Sequence, residues 1–299
     1  MTERAQISPP AFRTLVVVAL VFVTAIIVTG ASVRLSGSGL GCPTWPRCTG
    51  SDLIDISEPH RAVEQINRLF TGVVGLAVII VFAAAFRRRP FRGDLAWFGA
   101  ALIGGVLMQG IVGGVVVLLE LQWQAVVLHF LASFVLVYGN LELLRRAGEP
   151  SKFRHLVVSP SLRRLTETVF GVCLAVIALG TLVTAAGPHG GDADVARLDW
   201  PVRSAVQVHS VAVWILTAAT IVLIVNAKRA GAATTFDRAG WLLGALIFQG
   251  SVGYLQWFNR VPPVLVAVHV FGAAVVFGLA TWLRFGSYLA IEPNDEALA

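Results

Sequence analysis

Three of the six histidines lie inside long apolar stretches, where an imidazole is costly and is usually retained for a purpose. Gln109 precedes His129 by 20 residues, and Gln249 precedes His269 by the same 20 residues. These two histidines and His209 each lie six or seven residues inside the outer end of a stretch, so all three share one depth. Two imidazoles facing each other at one depth are the usual axial ligands of a haem iron between membrane helices. We therefore predict that His209 and His269 hold a haem.

The same spacing recurs in the first half of the chain with one change. Arg203 precedes His209 by six residues, as Arg61 precedes Asn67. Asn67 thus stands where a fourth histidine is expected. A haem in this half would have one strong ligand, His129, and an open or weakly held side. An open position suits chemistry at the iron, whereas a doubly ligated iron suits electron transfer.

Glu64 lies one helical turn before Asn67 and on the same face. An acid in a membrane helix is a candidate functional residue, so we predict a catalytic role for Glu64. The alternative is a structural clamp in which Glu64 pairs with Arg68 or Arg61. Arg61 and Arg203 lie six residues outward of the histidine level, where haem carboxylates would emerge. They are predicted to bind those carboxylates, with interfacial snorkelling as the alternative.

The histidines and the nearby glycines also have explanations other than haem binding. A single histidine inside a membrane can serve as an interhelical hydrogen-bond partner. A zinc or di-iron site needs additional carboxylate, thiolate or imidazole ligands at that depth, and the second half offers none. Five glycines of the third apolar stretch leave room either for a ring or for close helix packing: Gly104, Gly105, Gly110, Gly113 and Gly114.

Two of the three cysteines, Cys42 and Cys48, lie in a loop that is expected on the oxidising side of the membrane. This location predicts a disulfide. The spacing is not that of a redox CxxC motif, and a metal site would need further ligands, of which only His60 is near in sequence. Cys173 lies in an apolar stretch and is expected to serve packing.

The elements that must position these residues are membrane helices. The chain is 56% hydrophobic and 13% charged, with a mean hydropathy of +0.77, values foreign to a soluble domain of this length. Apolar runs of about 20 residues, enough to cross roughly 30 Å of hydrocarbon, occur eight times. The fold is therefore predicted to be all-α and polytopic, with spans near residues 13–33, 64–86, 95–118, 123–144, 164–186, 203–226, 239–258 and 262–285.

The repeated spacing predicts two similar halves. Four helices in each half is an even number, so the halves should run parallel, as four-helix bundles related by a pseudo-two-fold axis along the membrane normal. We expect an N-terminal half at 1–146, a cytoplasmic linker at 147–163, and a C-terminal half at 164–299 with the haem between His209 and His269.

The net charge of +6 is a topology signal, which makes a nucleic-acid partner unexpected. If the N-terminus is inside, all but seven of the 23 basic residues fall on the inner side. The positive-inside rule then predicts a multi-pass protein of the cell membrane with both termini cytoplasmic and lipid around the helices. The seven outer basic residues are Arg34, Arg47, Arg61, Arg68, Arg197, Arg203 and Arg260.

Two segments, EQINR at 64–68 and GCPTWPRC at 41–48, together with the repeated histidines, resemble the haem A synthase family over nearly the whole chain. The resemblance implies an eight-helix enzyme that oxidises the methyl group of haem O to the formyl group of haem A for cytochrome oxidase assembly. It implies a haem b at His209 and His269, the substrate haem at His129, and Glu64 as the essential acid. It also implies haem O synthase and an electron donor as candidate partners, and it leaves an oligomer open.

The family motif reads Glu-x-x-His-Arg, so Asn67 is a departure that leaves the sixth ligand of the substrate haem open. Two other classes of function compete with this resemblance. A non-catalytic cytochrome b relay predicts two histidines in each half, which Asn67 and Glu64 contradict. A transporter of haem or another small molecule predicts helices broken near the midplane, and no span is convincingly interrupted by proline.

Overall fold

The computed structural model describes residues 6–149 and 154–290, and these residues form eight helices and one pair of short strands. The predicted all-α, polytopic fold is confirmed, and residues 1–5, 150–153 and 291–299, which include parts of the predicted linker and of both ends, lie outside the description. The helices are α1 (Pro9–Leu35), α2 (Pro59–Arg87), α3 (Gly93–Leu118), α4 (Trp123–Gly148), α5 (Pro160–Ala186), α6 (Val202–Arg229), α7 (Ala233–Phe258) and α8 (Pro263–Phe285).

Four helices, α1, α2, α5 and α7, begin four to six residues before the apolar run that predicted them, because their first turns carry proline or polar residues that lie outside the run. Pro9 and Pro160 open α1 and α5, each after a serine, Ser8 or Ser159, whose hydroxyl accepts a backbone N–H of the first turn. A proline is favourable in the first helical turn because that turn has no intrahelical partner for its N–H.

Seven of the eight described helices are long and apolar enough to cross a membrane. The eighth, α7, has 26 residues and carries the polar residues Gln249, Ser251 and Gln256 in its second half. The helices α1 to α4 pack as a ring in chain order, with α4 returning to α1, and α5 to α8 do the same. The two rings meet where α1 and α4 contact α8 and where α4 contacts α5.

Aromatic side chains fill the contact between the rings. Phe134 of α4 lies edge-on to Phe277 of α8 with ring centroids 5.1 Å apart, and Phe170 of α5 is 6.1 Å from Phe277. Aromatic pairs of this kind add about 0.5–1.5 kcal/mol to the burial of their surface. The contact therefore fixes how the two rings of helices face each other.

One end of the bundle, which we call the linker end, carries the α4–α5 connection and the start of α1. Arg284 of α8 binds Glu167 of α5 at 2.8 Å and the Tyr138 hydroxyl of α4 at 2.7 Å, which ties the rings together. Strands β1 (Arg154–Leu156) and β2 (Tyr288–Ala290) pair antiparallel there. This small sheet was not predicted.

The opposite end, which we call the loop end, carries the segments 36–58 and 187–201. The backbone N–H of Gly39 donates to the Gly191 carbonyl at 2.8 Å, so the long loop of the first ring is joined to that of the second. A side chain at Gly39 would lie 3.2 Å from this carbonyl oxygen, and Gly191 has a φ of +108°. Both positions therefore need glycine for this close approach.

Candidate functional site

Asn67, His129, His209 and His269, which we call the ligand-level residues, each face a glycine of a neighbouring helix. A Cβ atom built on that glycine would lie within 4.0 Å of the ligand-level side chain in every case. Because these positions have no side chain, the neighbouring helix approaches each ligand-level side chain closely without crowding it. The pairs are Asn67 with Gly30 (4.0 Å), His129 with Gly113 (3.4 Å), His209 with Gly180 (3.2 Å) and His269 with Gly253 (3.5 Å).

The repeated glutamines fix the backbone at the histidines. The Nε2 atom of Gln109 donates to the His129 carbonyl at 3.2 Å, and that of Gln249 donates to the His269 carbonyl at 2.8 Å. This contact gives a physical reason for the matched 20-residue spacing. The Nδ1 atoms of His129 and His269 are buried, and no hydrogen-bond partner for them exists among the described residues.

His209 and His269 face each other across the second ring. Their ring centroids lie 6.5 Å apart and their planes cross at 74°. The Nδ1 of His209 is 3.1 Å from the Val176 carbonyl, which can only accept a hydrogen bond, so the proton is on Nδ1 and Nε2 keeps its lone pair. With a metal–nitrogen bond of about 2 Å on each side, the two rings can share one iron between them.

The donor set fits a haem better than a protein-only metal site. Among the residues that the structure describes, no group of three or more His, Cys, Asp or Glu side chains could hold a metal ion. Two facing imidazoles with glycine-lined space beside them suit a macrocycle that supplies the remaining ligands itself.

In the first ring, Asn67 and His129 both line the same cavity, but their surroundings differ from those of the histidine pair. The Oδ1 atom of Asn67 accepts a hydrogen bond from the Thr29 hydroxyl at 2.8 Å. Asn67 is therefore held by the protein itself, which leaves His129 as the one strong candidate ligand in this ring.

Glu64 is buried, with 4% of its surface exposed, and lines the cavity of the first ring. Its Oε1 binds Nη2 of Arg68 at 2.5 Å, so the pairing offered as a structural clamp is present. Its Oε2 accepts the backbone N–H of Cys42 at 2.7 Å. Glu64 thus links the cavity wall to the loop of residues 36–58.

The two arginines predicted to bind haem carboxylates are placed differently. Nη1 of Arg61 binds Oδ2 of Asp55 at 2.7 Å, and Arg61 is absent from the cavity lining that the structure describes. Hydrogen bonds from Ser57 and the charge of Arg61 lower the pKa of Asp55. Arg203 lines the cavity and is exposed.

The cysteines behave as predicted. Cys42 and Cys48 form a disulfide, and Cys173 is a buried free thiol. His60, the other candidate near the pair, has its Nδ1 2.9 Å from the Ser38 hydroxyl within the loop region. His60 is therefore engaged by the loop.

The glycines of α3, for which the sequence left two purposes open, differ in their surroundings. Gly113 faces the His129 ring. Gly105 lies against Leu136 and Gly114 against the Trp45 ring, which are packing contacts. Gly104 and Gly110 have open space where a side chain would begin.

A single cavity of about 1310 Å³ runs through both rings, and all four ligand-level residues line it. Its volume exceeds the range of about 300–1,000 Å³ usual for one small-molecule site, so it has room for more than one ligand. Two further arginines, Arg34 and Arg197, line the part between the rings. The repeated spacing of the sequence indicates neither of them.

The chain was compared with known proteins. Residues 13–65 and 59–281 match the family model COX15-CtaA, described as cytochrome oxidase assembly protein. A heme A synthase of Geobacillus kaustophilus is 25% identical over 293 residues, covering 91% of this chain and 89% of the relative. One from Exiguobacterium sp. is 24% identical, covering 91% and 92%. One from Shewanella oneidensis is 31% identical over 137 residues, covering 40% and 41%.

Proposed function

Because the chain belongs to the COX15-CtaA family of cytochrome oxidase assembly proteins, we propose that it is a haem A synthase. Such an enzyme is a haem-dependent oxidoreductase that converts the methyl group of haem O to the formyl group of haem A. The observation that carries this proposal is the ligand level, where three histidines and one asparagine each face a glycine inside a single cavity.

The second ring is proposed to hold the resident cofactor, haem b, between His209 and His269. The centroid separation of 6.5 Å and the free Nε2 of His209 support this assignment. A haem iron with two imidazole ligands supplies one-electron transfer. Gly180 and Gly253 lie against the two imidazoles, where a larger side chain would crowd them.

The first ring is proposed to be the reaction chamber, with haem O held by His129. Asn67 is a weak ligand, and its hydrogen bond with Thr29 holds it in place. One side of the substrate iron therefore stays accessible. Glu64 is proposed to be the catalytic acid that accepts or relays protons as the methyl carbon is oxidised. Its position in the cavity wall supports this role, and its bond to Arg68 holds the carboxylate in place.

The orientation and partners follow from the same proposal. The linker end, rich in arginine, is proposed to be cytoplasmic, with both termini on that side of the cell membrane. Haem O synthase is the proposed source of substrate, and the oxidation requires an external oxidant and an electron donor.

Each of the eight described helices runs without a break, which does not suit a transporter with helices interrupted at the midplane.

The decisive experiment is haem extraction from purified protein combined with conversion of added haem O in membranes. We expect haem b together with haem O or haem A, and formation of haem A. A His269→Ala variant should lose the low-spin spectrum of the second ring, whereas the exposed His155→Ala should keep it. Protein that carries haem b alone and never converts haem O would favour the electron-relay function.

A further inference from the structure

Arg34 and Arg197 both line the cavity near its loop end. Arg34 lies in the last turn of α1 and donates a hydrogen bond to the His189 carbonyl, while Nη2 of Arg197 donates to the Thr184 carbonyl at 2.8 Å. The consecutive residues Gly190 and Gly191 contact them: a Cβ at Gly190 would meet Nη1 of Arg197, and one at Gly191 would lie 3.2 Å from Cγ of Arg34.

Neither guanidinium has a counterion within the described part of the chain. The ion pairs found there involve other arginines, such as Arg68 with Glu64 and Arg92 with Asp94. Nε of Arg197 is moreover buried with no hydrogen-bond partner among the described residues. Two adjacent positive charges in a low-dielectric cavity are unfavourable unless an anion lies between or beside them.

The backbone of Arg34 and the carbonyl that holds Arg197 occupy equivalent places in the two rings. Arg34 follows Gly30 by four residues on α1, and Thr184, whose carbonyl binds Arg197, follows Gly180 by four residues on α5. Each ring therefore has an arginine attached about one helical turn, or roughly 6 Å, beyond the glycine that faces its ligand-level residue. A ring ligated at that level would reach this distance with its edge substituents.

We propose that Arg34 and Arg197 form a carboxylate-binding site at the junction of the two rings, which takes haem propionates. Arg34 binds a propionate of the haem in the first ring, and Arg197 one of the haem in the second. Arginine suits this task because its planar fork matches a carboxylate with two parallel hydrogen bonds. The assignment rests on the proposed function in so far as haems occupy the cavity.

The test compares haem with its dimethyl ester, in which both propionates have lost their charge. Haem O and haem O dimethyl ester are titrated into purified protein, and affinities are read from the absorbance spectrum. The same is done with haem b and its ester on protein made under haem limitation. The variants are Arg34→Gln and Arg197→Gln, whose amides remain hydrogen-bond donors but carry no charge. The control is Arg260→Gln, an exposed loop-end arginine.

The wild type and Arg260→Gln should prefer the free acids by roughly tenfold or more, the scale of one charge-assisted hydrogen bond. Arg34→Gln should lose the preference for haem O over its ester, Arg197→Gln that for haem b, and Arg34→Lys should recover part of the former. Unchanged preferences in folded Gln variants would overturn this inference. Conversion of haem O in the same samples separately tests the proposed function.

Discussion

The backbone N–H of Cys42 donates a hydrogen bond to the Glu64 carboxylate at 2.7 Å, and this bond connects a disulfide-closed loop to a buried acid. Nη2 of Arg68 closes the connection, since it binds both Glu64 and, at 2.8 Å, the Cys42 carbonyl. The acid therefore cannot be changed without affecting the loop. Its proposed chemical role must be tested with a variant that keeps its shape.

Glu64→Gln keeps the shape of the side chain and removes its charge. We expect haem A formation to fall by about a hundredfold or more, the usual contribution of a general acid or base, while the haem b spectrum of the second ring remains. The measurement is the yield of haem A from haem O in membranes with equal haem b content.

A matched control separates lost chemistry from a lost buried ion pair. Glu142 on α4 is also buried and is bound by Arg145 and Arg146, but at the linker end. Glu142→Gln should lower thermal stability to a similar extent and leave haem A formation intact. Wild-type haem A yield from Glu64→Gln would assign Glu64 to the clamp with Arg68 alone.

Asn67→His should restore the histidine pattern of the first ring. Gly30 faces position 67 as Gly180 faces His209, so an imidazole has comparable space. Thr29 loses the Asn67 oxygen but keeps its bond to the Ile26 carbonyl at 3.3 Å. We expect some conversion of haem O to persist, with a new low-spin haem signal in electron paramagnetic resonance spectra.

Asn67→Ala is the companion variant, since it removes the amide without adding a ligand. It should also retain conversion, because the proposed site needs only His129 as a strong ligand. Complete loss of haem A formation in Asn67→Ala, with haem b intact, would show that the asparagine itself is required for the reaction.

Much of the fold was readable from the sequence because membrane helices are specified locally. Runs of apolar residues of bilayer length predicted all eight helices, and the polar first turns account for the displaced starts. The matched spacing of Gln109 with His129 and Gln249 with His269 predicted a repeat, and the structure shows its cause in two glutamine-to-carbonyl hydrogen bonds.

Features set by contacts distant in the chain were not readable. The pairing of Arg154–Leu156 with Tyr288–Ala290 joins three-residue strands that are too short to leave a pattern. The equivalent placement of Arg34 and Arg197 could not be predicted because one lies on a helix and the other on a loop, so it exists only in space. Arg61 was assigned by its offset alone, although Asp55 and Glu58 precede it closely and Asp55 binds it.

Replacing both Cys42 and Cys48 by serine should destabilise the loop end by about 2 kcal/mol, because the bond closes a loop with a sequence separation of only 6 residues. Limited proteolysis should then cut within 36–58 faster than in the wild type. Cys173→Ala, which removes the third cysteine, should leave the loop protected. Two free thiols at positions 42 and 48 in non-reduced wild-type protein would contradict the disulfide.

Gly180→Ala should weaken haem b binding in the second ring. The added Cβ would lie 3.2 Å from Cε1 of His209, so the imidazole must move away from the position in which it faces His269. Overpacking of this kind costs about 1–3 kcal/mol, which corresponds to a loss of affinity of about five- to 150-fold. Gly171→Ala on the same helix adds a methyl group into open space and should leave the low-spin spectrum unchanged. Equal haem b content and identical spectra in the two variants would mean that the space beside His209 is not where the haem lies.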